Sequence, residues 1–167
     1  MIALALTDLA ATEAFAQALA PLLAEGDVVE LVGDIGAGKT TFTGALARAL
    51  GATEPARSPT YTIAHRYELP DGAPAGFLAH LDCYRQRGVL DDAAWGDLEP
   101  YFDGGIACVE WPAPIRPWIA DRRTWRVHLD AASLEARVAR VQLPATGVEA
   151  SALFGGLMRS SGHPRFA

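Results

Sequence analysis

Two segments of the chain carry apolar residues at every third or fourth position, the spacing of an amphipathic helix. The first begins after Thr7 or Asp8, both of which are suitable N-cap residues, and it runs to a turn at residues 25–27. The second follows a glycine-rich stretch and ends before Gly51, a residue suited to a left-handed C-terminal cap. The pattern therefore predicts helices on either side of residues 28–38.

Shorter apolar runs predict strands, and the first of them is rich in β-branched residues. They cover residues 28–32, 61–69, 77–82, 106–110 and 124–129. The link between the second and third runs is short and contains proline and glycine, which favours an antiparallel hairpin. Residues 134–143 fit either a helix or a strand around a bulge, and we favour a strand that pairs with the preceding one through a turn at 130–133.

The length of 167 residues, half of them hydrophobic, indicates one domain with one core. We assign residues 1–144 to this domain and expect residues 145–167 to be a poorly ordered tail, because they lack a clear pattern. The opening apolar run is short and has no basic flank, and no later run reaches the ~18 residues that span a bilayer. Cys83 and Cys108 are too few for a disulfide framework, so we expect buried thiols in a cytoplasmic protein.

The charge balance argues against tight binding to nucleic acid by this chain alone. Twenty Asp and Glu oppose fourteen Lys and Arg, for a net charge of −6, and such a surface repels phosphate backbones. Lys39 is the only lysine; every other basic residue is arginine. A chain that replaces lysine elsewhere has retained it at one position, which indicates a specific task there.

Lys39 lies in a phosphate-binding loop motif, G-x-x-x-x-G-K-[ST]. The motif reads Gly33-Asp34-Ile35-Gly36-Ala37-Gly38-Lys39-Thr40. A predicted strand leads into it and a predicted helix leaves it, so backbone N–H groups and the helix dipole would converge on a phosphate. Lys39 would reach the β- and γ-phosphates and Thr40 would bind Mg²⁺. A guanine-reading N-K-x-D or T-K-x-D motif would need a second lysine, so ATP is favoured over GTP.

Two carboxylates end predicted strands and compete for the remaining metal and water chemistry. Glu110 and Asp82 each follow an apolar run, the place where a phosphate-loop fold presents an acidic residue to Mg²⁺ or to the attacking water. Either residue taken alone fits a solvated strand end as well. The presence of both favours a hydrolytic site.

Four motifs in this order and spacing resemble the TsaE (YjeE) family of bacterial ATPases in tRNA threonylcarbamoyladenosine biosynthesis. The resemblance runs from about residue 7 to 143. Besides the glycine-rich loop, its motifs are Ser58-Pro59-Thr60-Tyr61-Thr62, His80-Leu81-Asp82-Cys83-Tyr84-Arg85 and Glu110-Trp111.

The resemblance implies a three-layer α/β domain of the P-loop NTPase type, in which helices flank a mixed sheet. It also implies an ATPase that is weak alone and works with the TsaB and TsaD proteins, of which TsaD transfers threonylcarbamoyl to adenosine 37 of tRNA. In that scheme this chain would not touch the base, and its ATP cycle would reset the partner complex between turnovers.

Carried onto this chain, the resemblance extends the nucleotide loop to Thr41 and makes Thr60 part of a switch that senses the γ-phosphate. It implies magnesium at Thr40 and Glu110 and water at Asp82, and these two carboxylate roles are open to exchange. Trp111 matches a position near the nucleotide and the partner surface, and packing beneath the site explains it equally well.

Neighbouring residues have simpler interpretations. We expect His80 to be a hydrogen-bonded structural histidine, and Cys83 to be a packing residue and not a nucleophile. Arg85 would reach either the phosphates or TsaD. The acidic stretch at 91–103 is typical of a solvated face, with docking of a basic partner as the alternative.

Two other functions remain open at this point. A small-molecule kinase would share the phosphate loop, but such kinases usually carry an arginine-bearing lid and a helical bundle where this chain has predicted hairpin strands. A nucleotide-sensing adaptor with negligible turnover would not need both Asp82 and Glu110.

Overall fold

The computed structural model describes residues 1–54 and 64–145, together with residues 152, 155, 157, 165 and 166. Three helices and eight strands have bounds in this part of the chain, with short 3-10 turns at Ala20–Leu22, Glu99–Tyr101 and Arg116–Ile119, and residues 152, 155 and 157 are also helical. In chain order the helices and strands are β1 (Ile2–Leu6), α1 (Leu9–Leu19), β2 (Val28–Val32), α2 (Lys39–Ala49), β3 (Ala64–Glu68), β4 (Phe77–Asp82), α3 (Asp92–Leu98), β5 (Gly105–Glu110), β6 (Thr124–Ala131), β7 (Arg137–Gln142) and β8 (Arg165–Phe166).

The eight described strands form one mixed sheet in the order β3-β4-β5-β2-β6-β7-β1-β8. The four central strands β4, β5, β2 and β6 run parallel to one another. The outer pairs β3/β4, β6/β7, β7/β1 and β1/β8 are antiparallel. Because parallel strands end at the same edge of a sheet, the ends of β2, β4 and β5 meet at one place.

Helices cover both faces of the sheet, as the expected three-layer architecture requires. Helices α1 and α2 pack against one face, where the rings of Phe15 and Phe42 lie 5.0 Å apart between centroids. Helix α3 and the turns around it cover β4 and β5 on the other face, where Trp95 stacks on Trp118. The fold predicted from the sequence is confirmed.

Most predicted strands are confirmed, and β2 and β4 have the predicted bounds. The β3/β4 hairpin is antiparallel as expected, although residues 61–63 of its first predicted strand lie outside the described residues. The ambiguous segment before residue 143 contains β7, which pairs with β6. The strand interpretation was therefore the correct one.

Sequence reasoning missed the strands β1 and β8 and the helix α3. The opening run was considered only as a possible leader or membrane segment, yet β1 inserts between β7 and β8 with Ile2, Leu4 and Leu6 buried. The acidic stretch contains α3, in which Asp91 caps the helix by accepting a hydrogen bond from the N–H of Ala94. The acidic residues made this segment resemble a solvated face, because the short helix buries only Trp95 and Leu98.

The C-terminal segment contributes to the sheet at one described point. Residues 165 and 166 pair with Ala5 and Leu4 of β1. Most of 146–164 lies outside the described residues, so the proposed domain boundary and the expected disorder of the tail remain predictions. Among the described residues, no helix has the length and apolar character needed to cross a membrane.

Candidate functional site

The glycine-rich loop joins the end of β2 to the start of α2, and two of its glycines are required by their surroundings. A Cβ atom on Gly33 would lie 2.2 Å from the backbone oxygen of Leu129, so no side chain fits there. Gly38 is the N-cap of α2 and has φ +98°, a left-handed conformation that glycine adopts without strain. The loop therefore follows the strand-loop-helix path that the motif predicts.

Lys39 is buried at the first position of α2, and its side chain turns back over the loop. Its Nζ donates hydrogen bonds to the backbone oxygens of Gly33 at 2.8 Å and Asp34 at 2.9 Å. Desolvation lowers the pKa of Lys39, an effect only partly opposed by the nearby carboxylates of Glu110, Asp82 and Asp34. The ammonium is thus held by carbonyl oxygens that a phosphate oxygen could replace.

Thr40 and Glu110 are joined by a direct hydrogen bond between α2 and the end of β5. Thr40 Oγ1 donates to Glu110 Oε1 at 2.8 Å, although the two residues are seventy positions apart in the chain. The Glu110 side chain is buried, and His80 Nε2 lies 2.9 Å from the same oxygen. A hydroxyl and a carboxylate side by side are the hard oxygen ligands that Mg²⁺ prefers.

Asp82 lies beside Glu110 but has a different environment. The two residues are register partners across the parallel β4/β5 pair. Asp82 is half-buried, and its Oδ1 accepts a hydrogen bond from the N–H of Tyr84 at 2.9 Å. No described residue gives it a side-chain partner, so its carboxylate remains available to a ligand or a water.

These side chains surround a cavity of about 350 Å³ at the carboxyl edge of the sheet, which is the main cavity of the candidate site. The cavity is lined by Ile35, Gly36, Gly38, Lys39, Thr40, Thr41, Asp82, Tyr84, Glu110 and Trp111. A second cavity of about 110 Å³ lies beyond Gly38 and Thr41 and is bounded by Leu6, Leu9 and Leu129 among others. The first offers a cation, a hydroxyl and two carboxylates, and the second is an adjoining, partly apolar recess.

Comparison with known proteins assigns this arrangement to a family. The family model described as "Threonylcarbamoyl adenosine biosynthesis protein TsaE" matches residues 6–139, a span that contains the loop and both carboxylates. The chain belongs to the TsaE family.

Individual relatives agree with this assignment. The tRNA threonylcarbamoyladenosine biosynthesis protein TsaE of Bacillus subtilis is 41% identical over 113 residues, covering 67% of each chain. Its namesake in Streptomyces coelicolor is 44% identical, and the match covers 56% of this chain and 62% of the relative. Among solved structures, the crystal structure of Bacillus subtilis YdiB has a TM-score of 0.67 at 28% identity, covering 97% of this chain and 99% of that chain.

Among the described residues other than glycine, Trp111 is the one with a left-handed backbone conformation, at φ +55°. Such a conformation costs a bulky residue about 1–3 kcal/mol and is found most often at functional sites. Its ring lies 4.3 Å from Lys39 Nζ and 5.1 Å from the ring of Tyr84. The structure therefore places Trp111 at the wall of the main cavity, where it also packs against the core beneath.

Arg137 is a site residue that sequence reasoning missed. From β7 it donates hydrogen bonds to the backbone oxygens of Ala37 at 3.1 Å and Gly36 at 3.2 Å. It also lines the smaller cavity beside Gly38. Since the contact joins residues a hundred positions apart and follows no motif, only the strand order of this TsaE-family chain reveals it.

The structure brings together most of the predicted site residues. Lys39, Thr40, Thr41, Asp82, Glu110 and Trp111 line the main cavity. Thr60 lies outside the described residues, so its role as a switch stays a prediction. Arg85 is exposed, and the geometry gives it no contact with the described loop.

The two cysteines are buried, as the sequence predicts. Burial raises the pKa of both Cys83 and Cys108 to about 12, with nearby carboxylates adding to the effect. A thiol with so high a pKa is a poor nucleophile at neutral pH. Neither cysteine is therefore a candidate catalytic residue.

Proposed function

We propose that this chain binds ATP with Mg²⁺ at the glycine-rich loop and hydrolyses it as a component of tRNA threonylcarbamoyladenosine biosynthesis. The observation that carries the proposal is the convergence of Lys39, Thr40, Asp82 and Glu110 on one cavity. Membership of the TsaE family supports the pathway, since the relatives are named for it.

The donor set fits the proposed ligands. Lys39 exchanges its two carbonyl partners for β- and γ-phosphate oxygens, and the backbone N–H groups of the loop complete the phosphate cradle. Thr40 and Glu110 supply oxygen ligands for Mg²⁺, either directly or through its waters. When bound, Mg²⁺ neutralises charge that develops on the phosphates during transfer. Asp82 orients the attacking water.

In this proposal the two cavities determine how the nucleotide is oriented. Its γ-phosphate belongs in the main cavity with Lys39 and the carboxylates. Its base then points past Gly38 and Thr41 toward the smaller recess, where the leucines of β1, α1 and β6 offer apolar contact. Arg137 lines the smaller recess and holds the loop through its hydrogen bonds to Gly36 and Ala37.

In this proposal, hydrolysis of ATP to ADP and phosphate changes the conformation of a partner complex. We infer that the partners are the TsaB and TsaD proteins, and that the ATP cycle resets them between rounds of tRNA modification in the cytoplasm. The net charge of −6 fits a component that acts on tRNA through partner proteins and does not bind tRNA tightly itself.

The test measures ATP hydrolysis by the purified chain with and without purified TsaB and TsaD. Stimulation of hydrolysis by the two proteins is the expected result. Thr40→Ala is expected to impair the response of hydrolysis to Mg²⁺ more than it impairs nucleotide binding. A parallel assay with a panel of nucleosides and sugar acids tests the kinase alternative. Phosphorylation of one of these acceptors, without any effect of TsaB and TsaD, would reject the proposal.

A further inference from the structure

His80 is a buried histidine next to the site that the proposed chemistry does not use. It lies on β4 two residues before Asp82, on the same face of the strand, and is 1% exposed. Its Nε2 lies 2.9 Å from Glu110 Oε1. A carboxylate accepts hydrogen bonds and has none to donate, so Nε2 is the donor in this contact when Glu110 is ionised.

The oxygen that His80 contacts is the one that Thr40 also uses. Glu110 Oε1 accepts from Thr40 Oγ1 at 2.8 Å and from His80 at 2.9 Å, so donors from α2 and β4 converge on one atom of β5. No described residue donates to the other oxygen, Oε2. Two fixed donors on one oxygen determine how the carboxylate is turned and leave the second oxygen for a ligand.

The burial of the imidazole is compensated on one side only. His80 Nδ1 is buried and has no hydrogen-bond partner among the described residues. A buried polar atom without a partner costs stability, and an apolar side chain would avoid that cost at this position. The contact with Glu110 is the compensating interaction that the structure provides.

We propose that His80 is a positioning residue that holds the Glu110 carboxylate in the orientation needed for magnesium. Oε1 then stays on Thr40 and Oε2 faces the metal or a metal-bound water. This inference rests on the proposed ATPase function. Groups that orient a metal ligand from behind typically change metal affinity or activity by about 10–100-fold when removed.

The test compares two amide variants of the same residue. In His80→Gln the amide nitrogen reaches about as far as Nε2, whereas in His80→Asn it falls short of Glu110. We expect His80→Asn to raise the Mg²⁺ concentration needed for half-maximal ADP binding by about tenfold and to lower kcat by a similar factor. His80→Gln should restore both values to within a few-fold of the parent. Binding is followed by calorimetry, which requires no turnover.

A matched control separates positioning from stability. Cys108→Ala removes another buried contact of β5, the one between Cys108 Sγ and Thr43 Oγ1 at 3.3 Å, without touching Glu110. It should lower the melting temperature and leave the Mg²⁺ requirement unchanged. If both His80 variants behave like this control, the role of His80 is structural and the proposal is wrong.

Two further results bear on the proposal. If the parent neither hydrolyses ATP nor binds ADP in a Mg²⁺-dependent way, the proposed function fails, and not the role of His80 alone. If His80→Asn does not fold, ¹⁵N NMR of the parent imidazole decides. Hydrogen on Nε2 and a shift of that resonance on adding Mg²⁺ with ADP support the proposal, and hydrogen on Nδ1 or an unchanged resonance overturns it.

Discussion

Asp82 and Glu110 are register partners at the ends of two parallel strands, yet they are held by different groups. Glu110 is buried and bonded to the hydroxyl of Thr40, which ties it to the expected magnesium ligand. Asp82 is half-buried and accepts only a backbone N–H, that of Tyr84, from the described residues. The sequence left the two roles open to exchange, and these contacts favour the metal for Glu110 and the water for Asp82.

Glu110→Gln should separate nucleotide binding from turnover. The amide keeps the shape of the site and removes the charge, so ATP should still bind while hydrolysis falls by roughly 100-fold or more. The variant should also trap the ATP-bound complex with the partner proteins. Calorimetry and a phosphate-release assay measure the two effects. Normal hydrolysis would make Glu110 an ordinary strand end.

Asp82→Asn should lower turnover without changing the Mg²⁺ requirement. Loss of a water-orienting carboxylate affects the chemical step, by a factor of about 10²–10⁴, and not the metal ligands. A Mg²⁺ titration of ADP binding, run beside that of Glu110→Gln, provides the comparison. If Asp82→Asn alone raised the Mg²⁺ requirement, Asp82 would be the metal ligand and Glu110 would orient the water.

Lys39→Ala should abolish ATP turnover and weaken nucleotide binding. Lys39 is the only lysine of the chain, and its ammonium is the mobile cation that the main cavity offers among the described residues. Equilibrium binding of a fluorescent ATP analogue measures the loss, with circular dichroism to show that the variant folds. Hydrolysis within a few-fold of the parent would contradict the phosphate-loop assignment.

Nucleotide affinity should fall as the pH rises toward the alkaline range. In the free protein burial lowers the pKa of Lys39, and phosphate oxygens would raise it again, so binding is accompanied by proton uptake above the lowered value. Affinity is then full below the pKa of the free protein and declines as the pH passes through it. Cys83 and Cys108, with pKa values of about 12, do not titrate in this range.

Calorimetry of ATP binding in buffers of different ionisation enthalpy measures this proton uptake. Lys39→Ala is the control, because it removes the group that takes up the proton. The same uptake in the variant would assign the effect to another residue.

Arg137→Gln should weaken nucleotide binding more than it slows the chemical step. The substitution removes hydrogen bonds to the backbone oxygens of Gly36 and Ala37, so the loop loses the arrangement that presents its N–H groups to phosphate. We expect KM for ATP to rise about tenfold while kcat changes little. Arg140→Gln is the matched control, since Arg140 lies on the same strand and pairs with Asp130. An equal rise in KM in both variants would show that the effect comes from the loss of a positive charge and not from the contact with the loop.

Much of the site followed from the sequence because its signals are local. The loop motif specifies its own turn through glycine conformations, and the strands before it and before Asp82 and Glu110 are marked by continuous apolar runs. The end of a buried strand is then a position that the sequence itself identifies. Lys39, Thr40, Asp82 and Glu110 could all be named in this way, and the structure places them around one cavity.

The remaining features depend on which strands become neighbours, which no local pattern encodes. Strand β1 is as long as β2, but Ile2 is its one β-branched residue, and its Ala and Leu residues suit a helix equally well. Its pairing with β7 and β8 decides that it is a strand. Arg137 meets the loop only because β6 and β7 form a hairpin beside β2, and His80 reaches Glu110 only because β4 and β5 pair in one particular register. A one-residue shift in that register would turn side chains to the opposite face, so tertiary pairing decides these contacts.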